Sequence, residues 1–419
     1  EFAPGELVVK LAGERRGHAV ELPAGVGVRA AAKALRDNPR VDYATPNFVA
    51  TASAVSGPTY LVPNDPGGLV ETPNASAGAA SGGWESVQWN FLPYEGLPGV
   101  PIAVSPGGIN APGAWRNLQR AGRPGARHVT VAVIDSGIAY VGQRRKFLPS
   151  PDFSPKQFVP GYDFVDGDRV PLDENGHGTH ITGTIGERTD NGIGLTGLAY
   201  NARLMPIRVL DRRGEGESTG IAKGIRFAVR HGADVINMSF NFGCGRRIPV
   251  VDEALREAYE RGVITVASVG NLHSESCVAP PATGPHVIGV GGTTEGGCLG
   301  DYSLEGAGVD LVAPGGGTPL AGCASVATGP IYQVTLKARS TNRFGIPGNY
   351  VGTSMAAAHV SGVAAMVLAS GVIDPPRQPR HLVKAVTERL RVTSRDLGLP
   401  RTQQGAGLID AAAATTAGP

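Results

Sequence analysis

Val129-Thr130-Val131-Ala132-Val133-Ile134-Asp135 is an apolar, β-branched run that stops on a carboxylate. A strand covered on both faces reads as continuous rather than alternating apolar sequence, so this run predicts an interior strand of a parallel sheet. Similar runs recur at 202–210, 233–240, 262–267, 287–290 and 309–313. Helical spacing fills 218–230, 249–261 and 354–369, with Pro249 in a favoured first-turn position. Strands alternating with helices through right-handed connections predict a doubly wound, mostly parallel α/β domain with helices on both faces. In such sheets ligands bind beyond the carboxyl ends of the strands, and Asp135 stands at one of those ends.

Upstream, 6–11 alternates like a strand, 28–36 is an Ala-rich helix ending near Asn38-Pro39, and 41–49 returns as a strand. These elements predict a small α+β module over 1–53, near the lower size limit for independent folding and expected to dock on something larger. Residues 54–87, mostly Gly, Pro, Ser and Ala, read as a linker and N-terminal arm. The α/β domain is expected over 88–419.

The 419 residues include 38 basic and 36 acidic side chains, a formal charge of +2 that gives no nucleic-acid stripe or polybasic membrane anchor. No apolar stretch reaches the roughly 18–20 residues of a membrane span. The chain opens Glu1-Phe2-Ala3-Pro4, with neither initiator Met nor signal-like apolar region, so any export peptide is expected to be already absent. Four cysteines lie in loop-like sequence without CxxC spacing, and they permit three pairings. Two disulfides would suit an exported protein, with Cys244–Cys277 and Cys298–Cys323 as the expected pairing.

Chemistry concentrates at three places. Gly352-Thr353-Ser354-Met355-Ala356-Ala357-Ala358-His359 sets a serine at the start of a helical run, where free amides and the positive dipole end favour developing negative charge. Asn175-Gly176-His177-Gly178-Thr179-His180 supplies an imidazole, and Asp135-Ser136-Gly137 an acid. Acid, imidazole and hydroxyl thus follow in the order Asp, His, Ser. These motifs together resemble the subtilisin-family (subtilase) serine peptidases, and the likeness runs from Gly5 to the closing 405–411 segment.

The resemblance implies roles. Ser354 would attack a peptide carbonyl, His177 would act as general base and then acid, and Asp135 would fix the imidazole tautomer. Ala267-Ser268-Val269-Gly270-Asn271 resembles the segment whose asparagine stabilises the oxyanion, here Asn271, jointly with the Ser354 amide. Ser239-Phe240-Asn241-Phe242 resembles the edge that pairs with an extended substrate, usually Ser-Leu-Gly-Gly in the family. Asn241 and Phe242 replace glycines there and either narrow the first pocket or point away. Residues 267–270 and the segment holding Gly214 and Gly216 would complete the substrate walls. Glu215 and Glu217 either favour basic residues upstream of the cut or are solvated loop charge. Small neutral or apolar residues are expected on the acyl side of the cut.

Calcium is the implied cofactor. Thr189-Asp190-Asn191-Gly192-Ile193-Gly194-Leu195 resembles the family's calcium loop, with carbonyls of Thr189, Ile193 and Leu195, the Asn191 amide oxygen and the Asp152 carboxylate as ligands. An insertion at 139–150 separates Asp152 from Asp135. Ala358 stands where the family commonly has proline, and His180 and His359 resemble packing positions. Residues 41–50 resemble the final strand and exit of a propeptide that serves as folding template and inhibitor, with autocleavage expected between Ala50 and Gly57, after Ser53. The expectation is a secreted, monomeric endopeptidase made as a zymogen, acting on proteins or peptides and inhibited by its own propeptide. A catalytically silent peptide-binding protein and an esterase-type serine hydrolase are the alternatives.

Overall fold

The apolar runs become strands with both faces covered. The computed structural model describes residues 2–48, 63–69, 83–97, 102–143, 146–271, 277–325, 327–338 and 340–417, and the chain divides into Glu1–Gly57 and Pro58–Pro419. The expected cleavage stretch from Ala50 to Gly57 lies outside the described residues.

The first unit contains β1 (Phe2–Leu11), β2 (His18–Glu21), α1 (Val28–Arg36) and β3 (Val41–Phe48), with the strands antiparallel in the order β2-β1-β3. Leu7, Val9 and Ala44 face Val28 and Ala32 of α1 in one small core. So few buried side chains leave the unit near the limit of independent stability.

The second unit opens with α2 (Ala111–Arg120), β4 (Thr130–Asp135), β5 (Tyr162–Asp163), α3 (His177–Gly186), β6 (Arg203–Arg208) and α4 (Ser218–Arg230). It continues with β7 (Val235–Met238), α5 (Pro249–Glu260), β8 (Ile264–Ser268), β9 (Val287–Thr293), β10 (Leu311–Pro314) and the short pair β11 (Thr335–Leu336) and β12 (Phe344–Gly345). Four helices close it: α6 (Thr353–Ser370), α7 (Pro379–Val392), α8 (Arg401–Gln404) and α9 (Ala411–Thr415). The large sheet is parallel throughout, in the order β10-β9-β8-β7-β4-β6-β5.

From β4 the chain crosses to β6 through α3, then returns past β4 to β7 and on to β8 through α4 and α5. A constant right-handed crossover with this reversal sets α3 on one face and α4 and α5 on the other. The reversal makes the ends of β4 and β7 the switch point of the sheet, where a crevice opens. All six residues of β4 are buried, as its unbroken apolar character requires.

Several elements lie outside the sequence reading. β5 is two residues long, and α3, with nine of its ten residues buried, lacks the one-sided apolar stripe that betrays a surface helix. Parts of the stretch read as linker and arm are packed into the second unit. Trp84 is fully buried, donates Nε1–H to the Pro63 carbonyl (3.1 Å) and meets Trp115 edge-on at 5.7 Å. Helix α6 has the length and apolarity to cross a bilayer, but 89% of it is buried inside the protein, so it is a core helix. Ala358 lies mid-helix in α6 and is fully buried. The disulfides are Cys244–Cys277 and Cys298–Cys323, each with Cα atoms 6.2 Å apart.

Trp115 also packs edge-on against Phe91 and Tyr200 and donates to the Leu198 carbonyl at 2.9 Å. Trp115→Ala leaves a large cavity and is expected to cost about 3–5 kcal/mol. Denaturant titration checks this as a lower midpoint at unchanged slope.

Candidate active site

Three element ends converge at the switch point. Asp135 is the last residue of β4, His177 the first of α3, and Ser354 the second of α6; α3 and α6 pack together. Gly178 permits this approach, since a Cβ there would fall 2.2 Å from the Gly137 carbonyl oxygen and 3.2 Å from Asp135 Oδ1.

Asp135 is fully buried; its Oδ1 accepts from the Ser136 amide (2.7 Å) and lies 2.8 Å from His177 Nδ1. That contact assigns the Nδ1 proton to the acid side and turns Nε2 toward the cleft. Burial disfavours the imidazolium, but the charge and hydrogen bond of Asp135, with Asp173 behind, outweigh it and raise the His177 pKa above its ordinary 6.5.

Asp173 was not singled out from the sequence, although its place four residues before His177, ahead of Asn175-Gly176, is the signal of a carboxylate capping a tight turn. It is fully enclosed and accepts from the amides of Asn175, Gly176 and Thr179, the Thr179 hydroxyl and the Ser136 hydroxyl. Ser136 Oγ in turn accepts from the Gly178 amide (3.0 Å). The acid's own turn and the histidine's turn are therefore one hydrogen-bonded body.

The hydroxyl of Ser354 donates to the Ser239 carbonyl at 3.1 Å rather than to the imidazole, while Ser239 Oγ donates to the Ser354 carbonyl at 2.8 Å. Nucleophile–base hydrogen bonds commonly tighten only when substrate is bound. Asn271 Oδ1 accepts from both the amide and the hydroxyl of Thr353, each at 2.8 Å. With its oxygen so occupied, the N–H group is the part of the amide left to donate.

No backbone hydrogen bond among the described residues involves Phe240 or Asn241, so their main-chain groups are available to an extended peptide. Phe240 and Phe242 meet edge-on at 6.4 Å. The side chain of Asn241 does not point away: it bonds to Ser268. Ala267, Ser268 and Val269 are fully buried, which confines the first and last to main-chain contacts. Gly214 lies near Asn175, and Gly216 is required because a Cβ there would sit 2.3 Å from the Val209 carbonyl oxygen. Glu215 and Glu217 are exposed loop residues.

His180 and His359 are enclosed and take no part in the cleft. His180 Nε2 donates to the Ile331 carbonyl (3.0 Å) and the ring stacks on Tyr350 at 3.9 Å; burial lowers its pKa to about 3. His359 meets the Met355 carbonyl through Nδ1 and Asn90 through Nε2, and burial lowers it to about 4.

The loop expected to hold calcium folds around Asp152. Asp152 Oδ1 accepts from Asn191 Nδ2 (2.8 Å) and Oδ2 from the Leu195 amide (2.9 Å). A second carboxylate, missed in the supposed arm, clamps the same loop: Asp65 accepts from the amides of Asp190 (3.0 Å) and Asn191 (3.1 Å). Burial pushes Asp152 up to about 8 and Asp65 up to about 6, and burial with the Asp152 charge raises the nearby Glu187. No backbone hydrogen bond among the described residues ends on the carbonyl oxygens of Thr189, Ile193 or Leu195. Among the described residues no three His, Cys, Asp or Glu side chains converge on one point. The oxygen donors gathered here are of the kind a hard cation takes and not those of a zinc-type site, but the Asn191 amide oxygen accepts from the Ile193 amide (2.8 Å) and its nitrogen faces Asp152.

An NMR titration of His177 is expected to show a midpoint above 6.5, falling in Asp135→Asn. Because the folded value is raised, the stabilisation from this pair is complete below pH 6.5 and disappears as pH climbs through the folded pKa.

The subtilase family pattern matches residues 126–407. A thermophilic serine proteinase of Bacillus sp. (strain AK1) is 32% identical over 344 residues, covering 82% of this chain and 67% of that protein. Subtilisin DY of Bacillus licheniformis is 33% identical over 300 residues, 71% of this chain and 94% of that one. Among solved structures, a protease of Pseudoalteromonas arctica PAMC 21717 superposes with a TM-score of 0.63 at 28% identity, covering 84% of this chain and 98% of its own. A cold-adapted subtilisin-like serine proteinase gives 0.55 at 26% identity over 77% of this chain and 96% of its own. Sheet and relatives agree, and the chain belongs to the subtilase family of serine proteases.

Proposed function

We propose that Asp135, His177 and Ser354 form the catalytic triad of an endopeptidase that works through an acyl-enzyme. The observation that carries this reading is the 2.8 Å contact between His177 Nδ1 and the buried Asp135 carboxylate, set beside a serine in the first turn of α6. Rotation of the Ser354 side chain brings its hydroxyl from Ser239 to His177 Nε2, which takes the proton as Oγ bonds to the peptide carbonyl carbon. The carbonyl oxygen becomes an oxyanion received by Asn271 Nδ2 and the Ser354 amide. Collapse of the tetrahedral intermediate breaks the C–N bond and His177 returns the proton to the leaving amine; water, deprotonated by the same imidazole, then releases the acid. The free main chain of Phe240 and Asn241, and that of Gly214 and Gly216 opposite, would hold the substrate extended.

The bond from Ser354 to Ser239 favours a second reading, a silent protein that docks peptides in the same cleft. Labelling with a serine-directed phosphonate separates the two. The expected result is one labelled peptide containing Ser354, with casein clearance lost in Ser354→Ala; an unlabelled, non-hydrolysing protein supports the dock.

Residues 1–53 would serve as the intramolecular inhibitor and folding template of a secreted, monomeric zymogen, released by cleavage between Ala50 and Gly57. The two disulfides support an oxidising, extracellular destination. Calcium would be held by Asp152, the Asn191 amide oxygen and the carbonyls of Thr189, Ile193 and Leu195, with Asp65 clamping the loop. It would supply charge compensation for the buried carboxylates and no catalytic step. Chelation is expected to lower Tm, and calcium to restore it; an unchanged melting curve argues against the site.

A further inference from the structure

The two segments that flank Ser354 are fastened to each other. Asn241 donates Nδ2–H to the Ser268 carbonyl at 2.5 Å and accepts from the Ser268 hydroxyl at 3.2 Å. One residue on, the Phe242 amide donates to the Pro280 carbonyl at 2.7 Å, and the Cys244–Cys277 disulfide joins the same segments. β7 and β8 are adjacent, ending with Met238 opposite Ala267, so the segments that leave them are the two sides of one crevice. Ser354 sits at its mouth, held by Ser239 from one side, while Thr353 is held by Gly270 and Asn271 from the other.

The three substituents of a carbonyl carbon attacked by Ser354 Oγ have fixed destinations. The oxygen goes toward Asn271 Nδ2 and the Ser354 amide. The leaving nitrogen goes toward His177, which must protonate it. The remaining substituent, the α-carbon of the acyl-side residue, would be directed away from both, and its side chain would turn toward the crevice between 239–242 and 268–271. Asn241 and Ser268 bridge that crevice.

We propose that Asn241 determines specificity: its carboxamide is a crossbar that admits glycine, alanine or serine on the acyl side of the cut and rejects phenylalanine, tyrosine and leucine. This rests on the serine-protease reading of Ser354. A bulky side chain must displace the carboxamide, and Ser268, fully buried, then loses the partner of both its carbonyl and its hydroxyl. Leaving buried polar groups unpaired is a strong discriminator, corresponding here to a preference of roughly ten- to hundredfold. The disulfide and the Phe242–Pro280 bond oppose widening by movement of the walls, so the crevice cannot readily adapt to the larger residue.

The test uses paired peptides that differ only in alanine or phenylalanine at the acyl-side position. For the full chain, kcat/KM is expected to favour alanine by at least about tenfold, and the phenylalanine-to-alanine ratio to rise at least about tenfold in Asn241→Gly. Ser268→Ala, which removes only the hydroxyl half of the bridge, is expected to move the ratio the same way by less, and it keeps the test open if Asn241→Gly folds poorly. The same peptides are titrated by calorimetry against Ser354→Ala that an added protease has cut between Ala50 and Gly57 and that has been freed of its N-terminal segment, so that preference is read without catalysis and without the proposed inhibitor. Hydrolysis of both peptides at equal efficiency, or a ratio unmoved by both variants, overturns the crossbar while leaving the protease reading intact. Binding with the alanine preference but no hydrolysis by the unmodified chain supports the crossbar and overturns the hydrolytic reading. Absence of both hydrolysis and binding overturns both.

Discussion

A carboxylate at the end of a strand that is buried from one end to the other is the constraint from which the site follows. Asp135 closes β4 with no solvent exposure, and an ionised carboxyl so placed is stable only with a partner. One oxygen is satisfied by the Ser136 amide and by His177; the other has no partner among the described residues. The imidazole is therefore held by a charge that cannot easily be relieved elsewhere. Breaking such a buried pair from one side is strongly destabilising, so the bond that would tune catalysis also tethers the start of α3 to the end of β4.

Around that pair, polar groups act through the backbone. Asp173 spends its carboxylate on the turn that presents His177, Ser239 is tied to Ser354 in both directions, and Thr353 sets which way the Asn271 amide faces. None of these groups needs to touch a substrate to matter. Each removes a freedom that a reacting group would otherwise have to lose during the reaction, which is the substance of preorganisation. The loop at 189–195 follows a different logic: Asp65 and Asp152 close it by accepting its amides, and burial raises both above the ordinary carboxylate range.

Legibility in the sequence tracked the range of the interaction. Interior strands were readable because their burial on two faces leaves unbroken apolar runs, and α4 was readable to the residue because one face is apolar and the other is not. β5 was invisible at two residues. Asp65 was hidden in a Gly- and Pro-rich stretch, since its purpose is set by amides more than a hundred residues away. The histidines at 180 and 359 were separable from His177 only by resemblance, and the structure supplies the physical distinction: both are enclosed against carbonyls and aromatic rings, far below the range in which they would titrate near neutrality.

By itself the sequence determined the sheet class, the candidate carboxylate, imidazole and hydroxyl, and the order in which they occur, because these depend on local periodicity and on motifs a few residues long. Tertiary structure alone decided that the exposed Asn241 bonds to Ser268, that Asn271 is turned by Thr353, and that Ser354 rests on Ser239. Those are contacts between side chains brought together by neighbouring strands and a helix from distant parts of the chain. No periodicity encodes where two loops face one another; that is settled only when β7, β8 and α6 are packed.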